Sequence, residues 1–323
     1  MSRAVKKCSA LITIIMKNER KKPYRFETIS KLHSILELPK PLHPLVSVID
    51  FSKIKCFDDS QLESVTYNFY CIALKKGFEG KMKYGQNSYD FDEGVMTFFS
   101  PGQVISTEII EDLKLSGWWL VVHPDFFNGY PLSGNIGKYG FFSYSVNEAL
   151  HLSDEEESVV NDLMKNLQKE YSARIDKFSQ DVMISQIDLL LKYCDRFYNR
   201  QFITRKSINN DLLSRVESML KEYFESDKIQ LVGQPTVKYL GDRLHISPHY
   251  LSDMLRQLTG QSAQQHIHNA LIGEIKILLT TTNLSINEIA YKLGFEYPQS
   301  MNKLFKNKTM LSPTAFRKSF NSN

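Results

Sequence analysis

Near its C-terminus the chain repeats itself, and the repeat limits what can fold there. Val237, Leu240, Gly241, Leu244 and Ile246 return 49 residues later as Ile286, Ile289, Ala290, Leu293 and Phe295. Beyond them the offset becomes 50, so that Leu251, Leu255, Arg256, Thr259 and Ser262 answer to Met301, Phe305, Lys306, Thr309 and Ser312. Apolar residues three and four apart mark a helix with one buried face. A small residue inside the first helix, Gly241 or Ala290, lets a second helix cross closely over it. A turn follows, then a polar or proline helix start, then apolar anchors at i and i+4. That is the sequence logic of a helix-turn-helix, whose second helix offers its outer face to the major groove.

Capping signals agree with this division. Thr236 precedes the opening helix of the first unit, and Ser285 with Glu288 forms a capping box for that of the second. Ser247-Pro248 and Tyr297-Pro298 place proline at the first position of the two reading helices. Between the units, Ile267, Leu271, Ile275, Leu278 and Leu279 have the spacing of one long helix. The pattern predicts helices over 212–224, 236–244, 248–259, 263–279, 285–293 and 298–306, an all-α domain spanning 211–323.

Charge separates this region from the rest. Residues 201–323 hold 15 Lys and Arg against 10 Asp and Glu, whereas residues 1–200 hold 25 against 26. An excess of positive charge suits a domain that meets phosphate, and equally a merely basic surface.

Upstream the pattern changes. Residues 26–38 have helical spacing, and 65–74, 81–84, 95–99 and 118–122 are rich in aromatic and β-branched residues. Turn signals at Gly85-Gln-Asn87, Asp92-Glu-Gly94 and Ser100-Pro-Gly102 separate them. Short strands so spaced predict an antiparallel sandwich or small barrel. Ser153 with Glu156 then opens a helix carrying Val160, Leu163 and Leu167. A second stripe, Met183, Ile187, Leu190, Cys194 and Phe197, is broadened by Val182, Leu189 and Tyr193; it fits a dimer contact or a cover for the sheet. The fold class is therefore α+β with two domains, 23–200 and 211–323. A polar joint is placed at 201–210, and a flexible extension at 1–22. Four scattered cysteines read as reduced thiols, and no segment reaches the ~20 apolar residues of a membrane helix, which points to the cytoplasm.

Several short segments carry a family resemblance. Ser247-Pro-His-Tyr-Leu-Ser-Asp-Met-Leu255, Gly260-Gln-Ser262, Leu284-Ser-Ile-Asn-Glu-Ile-Ala290, Leu293-Gly-Phe295, Lys303-Leu-Phe-Lys306 and Ser312-Pro-Thr-Ala-Phe-Arg317 stand in the order and spacing of an AraC/XylS-type regulator. Residues 212–320 resemble the DNA-binding domain of that family. Residues 23–200 resemble, with less specific motifs, its cupin-like (jelly-roll) sensor: Lys81-Met-Lys-Tyr-Gly85, Tyr89-Asp-Phe91 and Ser100-Pro-Gly-Gln103. The resemblance implies effector-modulated activation or repression at a promoter. Its implied partners are double-stranded promoter DNA, a small-molecule effector, RNA polymerase and a second copy of the chain.

On the second reading helix Met301, Leu304 and Phe305 face inward. Gln299, Ser300, Asn302, Lys303 and Lys306 face outward, and the resemblance places base contacts at Gln299, Ser300 and Lys303. Glutamine pairs bidentately with adenine and lysine reaches guanine acceptors; Lys306 suits phosphate. On the first, Leu251, Met254 and Leu255 face inward, His249, Ser252 and Asp253 hold reading positions, and Arg256 suits phosphate. Asp253 is awkward beside a polyanion unless it accepts from cytosine or orients a basic neighbour. Three departures from the family pattern stand out. Met310 replaces a glycine that Gly260 keeps in the first unit. Met301-Asn302 replaces an aromatic-Ser pair, which the core is expected to absorb. Gly241 replaces a commoner alanine, at a helix cost of up to about 1 kcal/mol.

No catalytic or metal-binding constellation is found. A cupin metal site needs a His-x-His and a glutamate near 77–94, and that segment has no histidine. His266-x-His268 falls on the linking helix, where residues two apart diverge. Nothing in the sequence calls for a cofactor. Tyr84, Tyr89, Phe91, Phe98, Phe99 and Trp119 are candidates to line a small-molecule pocket, although strand alternation assigns about half of them to the core. The competing reading is a metabolite-binding β-domain bearing a helical protein-interaction module, with no DNA contact.

Overall fold

The structure is a computed structural model. It describes residues 23–54, 64–76, 78–84, 87–91, 94–106, 116–145, 148–174, 176–204 and 206–321, with side chains except at 78–91, 106, 206–210 and 320–321. The extension expected at 1–22 lies outside the described residues.

The N-terminal half runs β1 (Tyr24–Phe26), α1 (Ile29–Ile35), β2 (Val46–Asp50), β3 (Ser64–Tyr67), β4 (Tyr70–Lys76), β5 (Phe78–Tyr84), β6 (Asn87–Phe91), β7 (Val95–Phe99), β8 (Val104–Ser106), β9 (Ser116–Val122), α2 (Pro131–Asn135), β10 (Leu150–His151), α3 (Asp154–Ser172) and α4 (Ser179–Thr204). A five-stranded antiparallel sheet, ordered β10-β7-β4-β9-β2, forms its centre. Side chains of a strand alternate between faces, and β4 shows the consequence. Ile72 and Leu74 join Met96, Phe98, Leu120 and Val122 on one face, whereas Cys71 and Ala73 join Trp119 and Val121 on the other. The first face is covered by α3 and α4, with Cys194 Sγ 3.7 Å from Met96 Sδ. The second is covered by α1 and a three-stranded sheet ordered β1-β3-β8.

Three expectations need correction. The upstream sheets are not wholly antiparallel, because β1 pairs with β3 in parallel register, Tyr24 opposite Val65. The helix predicted over 26–38 is shorter: Phe26 ends a strand, and Thr28 caps α1 by accepting from the Lys31 amide. The extended run 65–74 breaks at Asn68-Phe69, so β3 and β4 belong to different sheets.

The described residues of the joint expected at 201–210, namely 201–204 and 206–210, are also helical. Helix α4 continues to Thr204, and its Gln201 is buried, with Oε1 accepting from the His151 amide at 2.8 Å and Nε2 donating to the Ala149 carbonyl. Polar composition misled here because glutamine satisfied internally reads in sequence like glutamine in water. The predicted stripe of α4 faces the sheet, whereas Val182 and Leu189 stay exposed.

Beyond residue 205 every regular element described is a helix: α5 (Lys206–Glu225), α6 (Lys228–Leu231), α7 (Val237–Leu244), α8 (Pro248–Thr259), α9 (Ala263–Thr281), α10 (Ile286–Lys292), α11 (Pro298–Thr309) and α12 (Pro313–Asn321). One hydrophobic core runs without interruption from Val46 and Leu120 through Leu190 and Phe202 to Leu271 and Phe305. Among the described residues no helix is long and apolar enough to cross a membrane.

Candidate nucleic-acid interface

Two helix-turn-helix units stand on either side of α9. The Ser262 hydroxyl accepts from the Gln265 amide while the Gln265 side chain returns to the Ser262 amide, closing a capping box. Ala263, Ile267, Leu271, Ile275 and Leu279 bury one face of the helix. The two histidines on α9 have separate partners, His266 with Thr259 and His268 with Gln264.

In the first unit α7 is capped by Thr236 and ends at His245 in the left-handed region, φ 58°. A Cβ at Gly241 would lie 2.7 Å from the Ile246 carbonyl oxygen. The close approach expected of a small residue there is present, and at this position it leaves no room even for a methyl group. Helix α8 starts at Ser247, whose hydroxyl accepts from the Tyr250 amide, and stops at Gly260, φ 75°. In the second unit Ser285 and Glu288 complete their capping box, and those hydrogen bonds hold the Glu288 carboxyl below its ordinary range. Helix α11 begins at Pro298 and is capped after Thr309 by Met310, whose φ of 63° lies in the same left-handed region as the 75° of Gly260 in the first unit. Met301 and Phe305 are wholly buried, and Phe305 meets the Phe316 ring edge-on at 5.5 Å.

The outer residues of the two units fare differently. Gln299, Ser300, Asn302, Lys303 and Lys306 are all exposed on α11. On α8, His249 and Arg256 are exposed, but Ser252 and Asp253 are half-buried. At Asp253 the cause is a segment of the N-terminal half lying along that edge. Tyr144 Oη donates to Asp253 Oδ2 at 2.7 Å, and Arg256 Nη1 meets Oδ1 at 2.5 Å. At the start of α8, Glu148 accepts from the Ser247 amide and from its hydroxyl, both at 2.5 Å. Glu148 is only 5% exposed, and burial raises its carboxyl pKa while the Ser247 and Ser145 hydrogen bonds oppose that rise. Burial and the Asp253 carboxylate likewise push the Tyr144 phenol upward. Tyr250 packs edge-on against Tyr144 and Phe202.

Sequence reasoning missed Tyr144 and Glu148. They stand 109 and 99 residues from their partners, and no local spacing announces such a contact. Asp253 was an oddity for a DNA-facing position, and that misfit was the available signal. Of the aromatic candidates, Trp119 is a core residue. It is 7% exposed and stacked on Phe51 at 5.9 Å, because strand alternation turns it toward α1. Phe98 is likewise buried, 4.5 Å from Phe141, and Phe99 packs partly buried against the α1 side. Tyr84, Tyr89 and Phe91 fall in the β5–β6 hairpin, and their side chains lie outside the described residues.

Comparison with known proteins agrees with the C-terminal architecture. Residues 240–319 match the family described as "Helix-turn-helix domain". An 83-residue stretch is 35% identical to the uncharacterized HTH-type transcriptional regulator YisR of Bacillus subtilis (strain 168), covering 26% of this chain and 29% of that protein. A longer stretch of 143 residues is 29% identical to the uncharacterized HTH-type transcriptional regulator YfiF of the same organism, covering 44% and 42%. The Msm operon regulatory protein of Streptococcus mutans is 32% identical over 87 residues, 27% of this chain and 31% of that one. The chain thus spans less than half the length of these relatives. Its C-terminal part is an AraC-type helix-turn-helix domain.

Proposed function

We propose that this chain is a sequence-specific DNA-binding transcription regulator that grips promoter DNA through α8 and α11 in successive major grooves. The observation that carries the reading is α11. A polar and basic row, Gln299, Ser300, Asn302, Lys303 and Lys306, lies exposed above anchors that are wholly buried. In this reading Gln299, Ser300 and Lys303 meet base edges, with Asn302 beside them, while Lys306 and Arg256 meet phosphates. His249, Ser252 and Asp253 hold the equivalent positions of the first unit.

We take residues 23–200 as the sensor, with a cupin-like sheet core and an effector site that includes Tyr84, Tyr89 and Phe91. The chain then works in the cytoplasm, on its own promoters, with RNA polymerase and a second copy as partners. Similarity to proteins named as transcriptional regulators supports the DNA-binding part of this reading.

Selection of bound sequences from random duplex oligonucleotides with the full chain tests it. The selected pool should converge on one defined site that includes the segment read by α11. Affinity for that site should fall steeply with salt, because each neutralised phosphate releases a counterion. A pool that stays random at low salt would leave only the protein-interaction reading.

A further inference from the structure

We propose that residues 139–145 together with Glu148 form an inhibitory clamp that holds the first reading helix, α8, against the N-terminal half and out of the major groove. The inference rests on the DNA-binding function proposed above. Space is the first argument. A helix with its side chains is about 10–12 Å across and the major groove about 12 Å wide, so a reading helix fills the groove. No second segment fits beside its reading face. Yet the backbone at Gly140 is so close to Asp253 that a Cβ placed there would stand 2.2 Å from Oδ2. Asp253 cannot enter a groove with this segment in place.

Chemistry is the second argument. Both oxygens of Asp253 are engaged, one by Tyr144 and the other by Arg256. A carboxylate that DNA would repel has found its donors inside the protein, and it occupies Arg256, the residue suited to phosphate. The N-terminus of α8 is held as well. Ser247 caps the helix with its hydroxyl oxygen and donates that hydroxyl's proton to Glu148, which also takes the Ser247 amide. Tyr250 and Asp253, three residues apart, share one edge of the helix, and it is this edge that the clamp covers.

The clamp is connected to the sheet. Phe98 of β7 touches Phe141 at 4.5 Å, Phe141 stacks on Tyr198 at 5.5 Å, Tyr198 meets Tyr144 at 5.2 Å, and Tyr144 meets Tyr250 at 5.3 Å. A rearrangement on the helix-covered face of the central sheet therefore reaches α8 through rings in contact. Among the described residues no comparable segment covers α11, whose outer residues are exposed.

Hydroxyl-radical footprinting and gel-shift titration of the full chain on its selected site test the clamp. The wild type should protect the segment read by α11 and leave that read by α8 weakly protected. Tyr144→Phe should extend protection over both and tighten binding about ten-fold, the scale of one hydrogen bond to a charged group. The double variant Gly140→Cys/Asp253→Cys, oxidised to a disulfide, should lose the α8 footprint and regain it on reduction. Equal protection of both segments by wild type and Tyr144→Phe, at equal affinity, would overturn the clamp while leaving DNA binding intact. So would failure of the folded double variant to form the cross-link. No convergent site for wild type or variants would instead sink the DNA-binding reading beneath it.

Discussion

The Tyr144 hydroxyl donates to Asp253 Oδ2 at 2.7 Å across 109 residues of sequence, joining the N-terminal half to the middle of α8. The partner oxygen, Oδ1, lies 2.5 Å from Arg256. Asp253 thus restrains both α8 and the side chain best suited to reach phosphate.

Replacing Asp253 by asparagine should release Arg256 and remove a negative charge from the reading face. Affinity for the selected site should rise, and the slope of log K against log salt should steepen by about 0.9, the value of one additional phosphate contact. The slope from fluorescence anisotropy at four or five salt concentrations checks this. An unchanged slope would mean that Arg256 does not reach the backbone.

Lys303→Ala should weaken operator binding by ~1–3 kcal/mol and blur the preference at one base pair. Lys303 is exposed beside the wholly buried Met301, so folding should be unaffected. Repeating the sequence selection with the variant reads both effects. Retained affinity and an unaltered consensus would assign Lys303 to the solvated face.

Met310→Gly should stabilise the chain by about 1 kcal/mol. A side chain at φ 63° is strained. The Met310 side chain contributes little in return, being 83% exposed. Urea unfolding of the two proteins compares them, and a lower midpoint for the glycine variant would contradict the argument.

Gly241→Ala should do the opposite, destabilising by about 1–3 kcal/mol although the equivalent residue of the second unit is Ala290. The new Cβ would press on the Ile246 carbonyl oxygen at 2.7 Å, a backbone atom that cannot swing aside. Thermal unfolding decides, and an unchanged or raised midpoint would show that the turn yields.

His33 gives a pH dependence with a definite sign. Its Nδ1–H donates to the Pro39 carbonyl at 2.6 Å, which leaves Nε2 to accept from the Ser47 hydroxyl at 2.9 Å. Burial lowers its pKa below the ordinary 6.5. The unfolded chain therefore takes up a proton before the folded one does. Stability should be complete above about pH 6.5 and decline as pH falls from there through the folded-state value. His33→Asn should flatten part of that decline in thermal scans. His43, His266 and His268, also lowered by burial, act in the same direction.

What could be read from the sequence was mostly local. The bounds of α8 coincide with the predicted 248–259, because Ser247, Pro248 and Gly260 mark both ends. The capping boxes at Ser153 and Ser285 formed as their spacing demanded. Helix α12 went unread although Ser312-Pro313 is a start signal of the kind recognised at Ser247. The strands beginning at Tyr24 and Val104 are three residues each, too short for alternation to register. Long-range pairing was beyond reach. Nothing near Glu148 indicates that it will receive an amide and a hydroxyl from Ser247, and nothing in the stretch 201–210, expected as a polar joint, indicates that Gln201 is sealed within the protein.

A continuous core also bears on how such a chain can be re-engineered. Regulators whose halves hang on a slack tether can exchange sensors freely, since the tether transmits only proximity. Here α4 lies against the sheet on one side and α8 on the other, so the two halves are geared rather than tethered. A chimera that kept this DNA-binding half and took its sensor from elsewhere would bring an unmatched surface to Tyr250 and Asp253. It would lack the clamp proposed for α8.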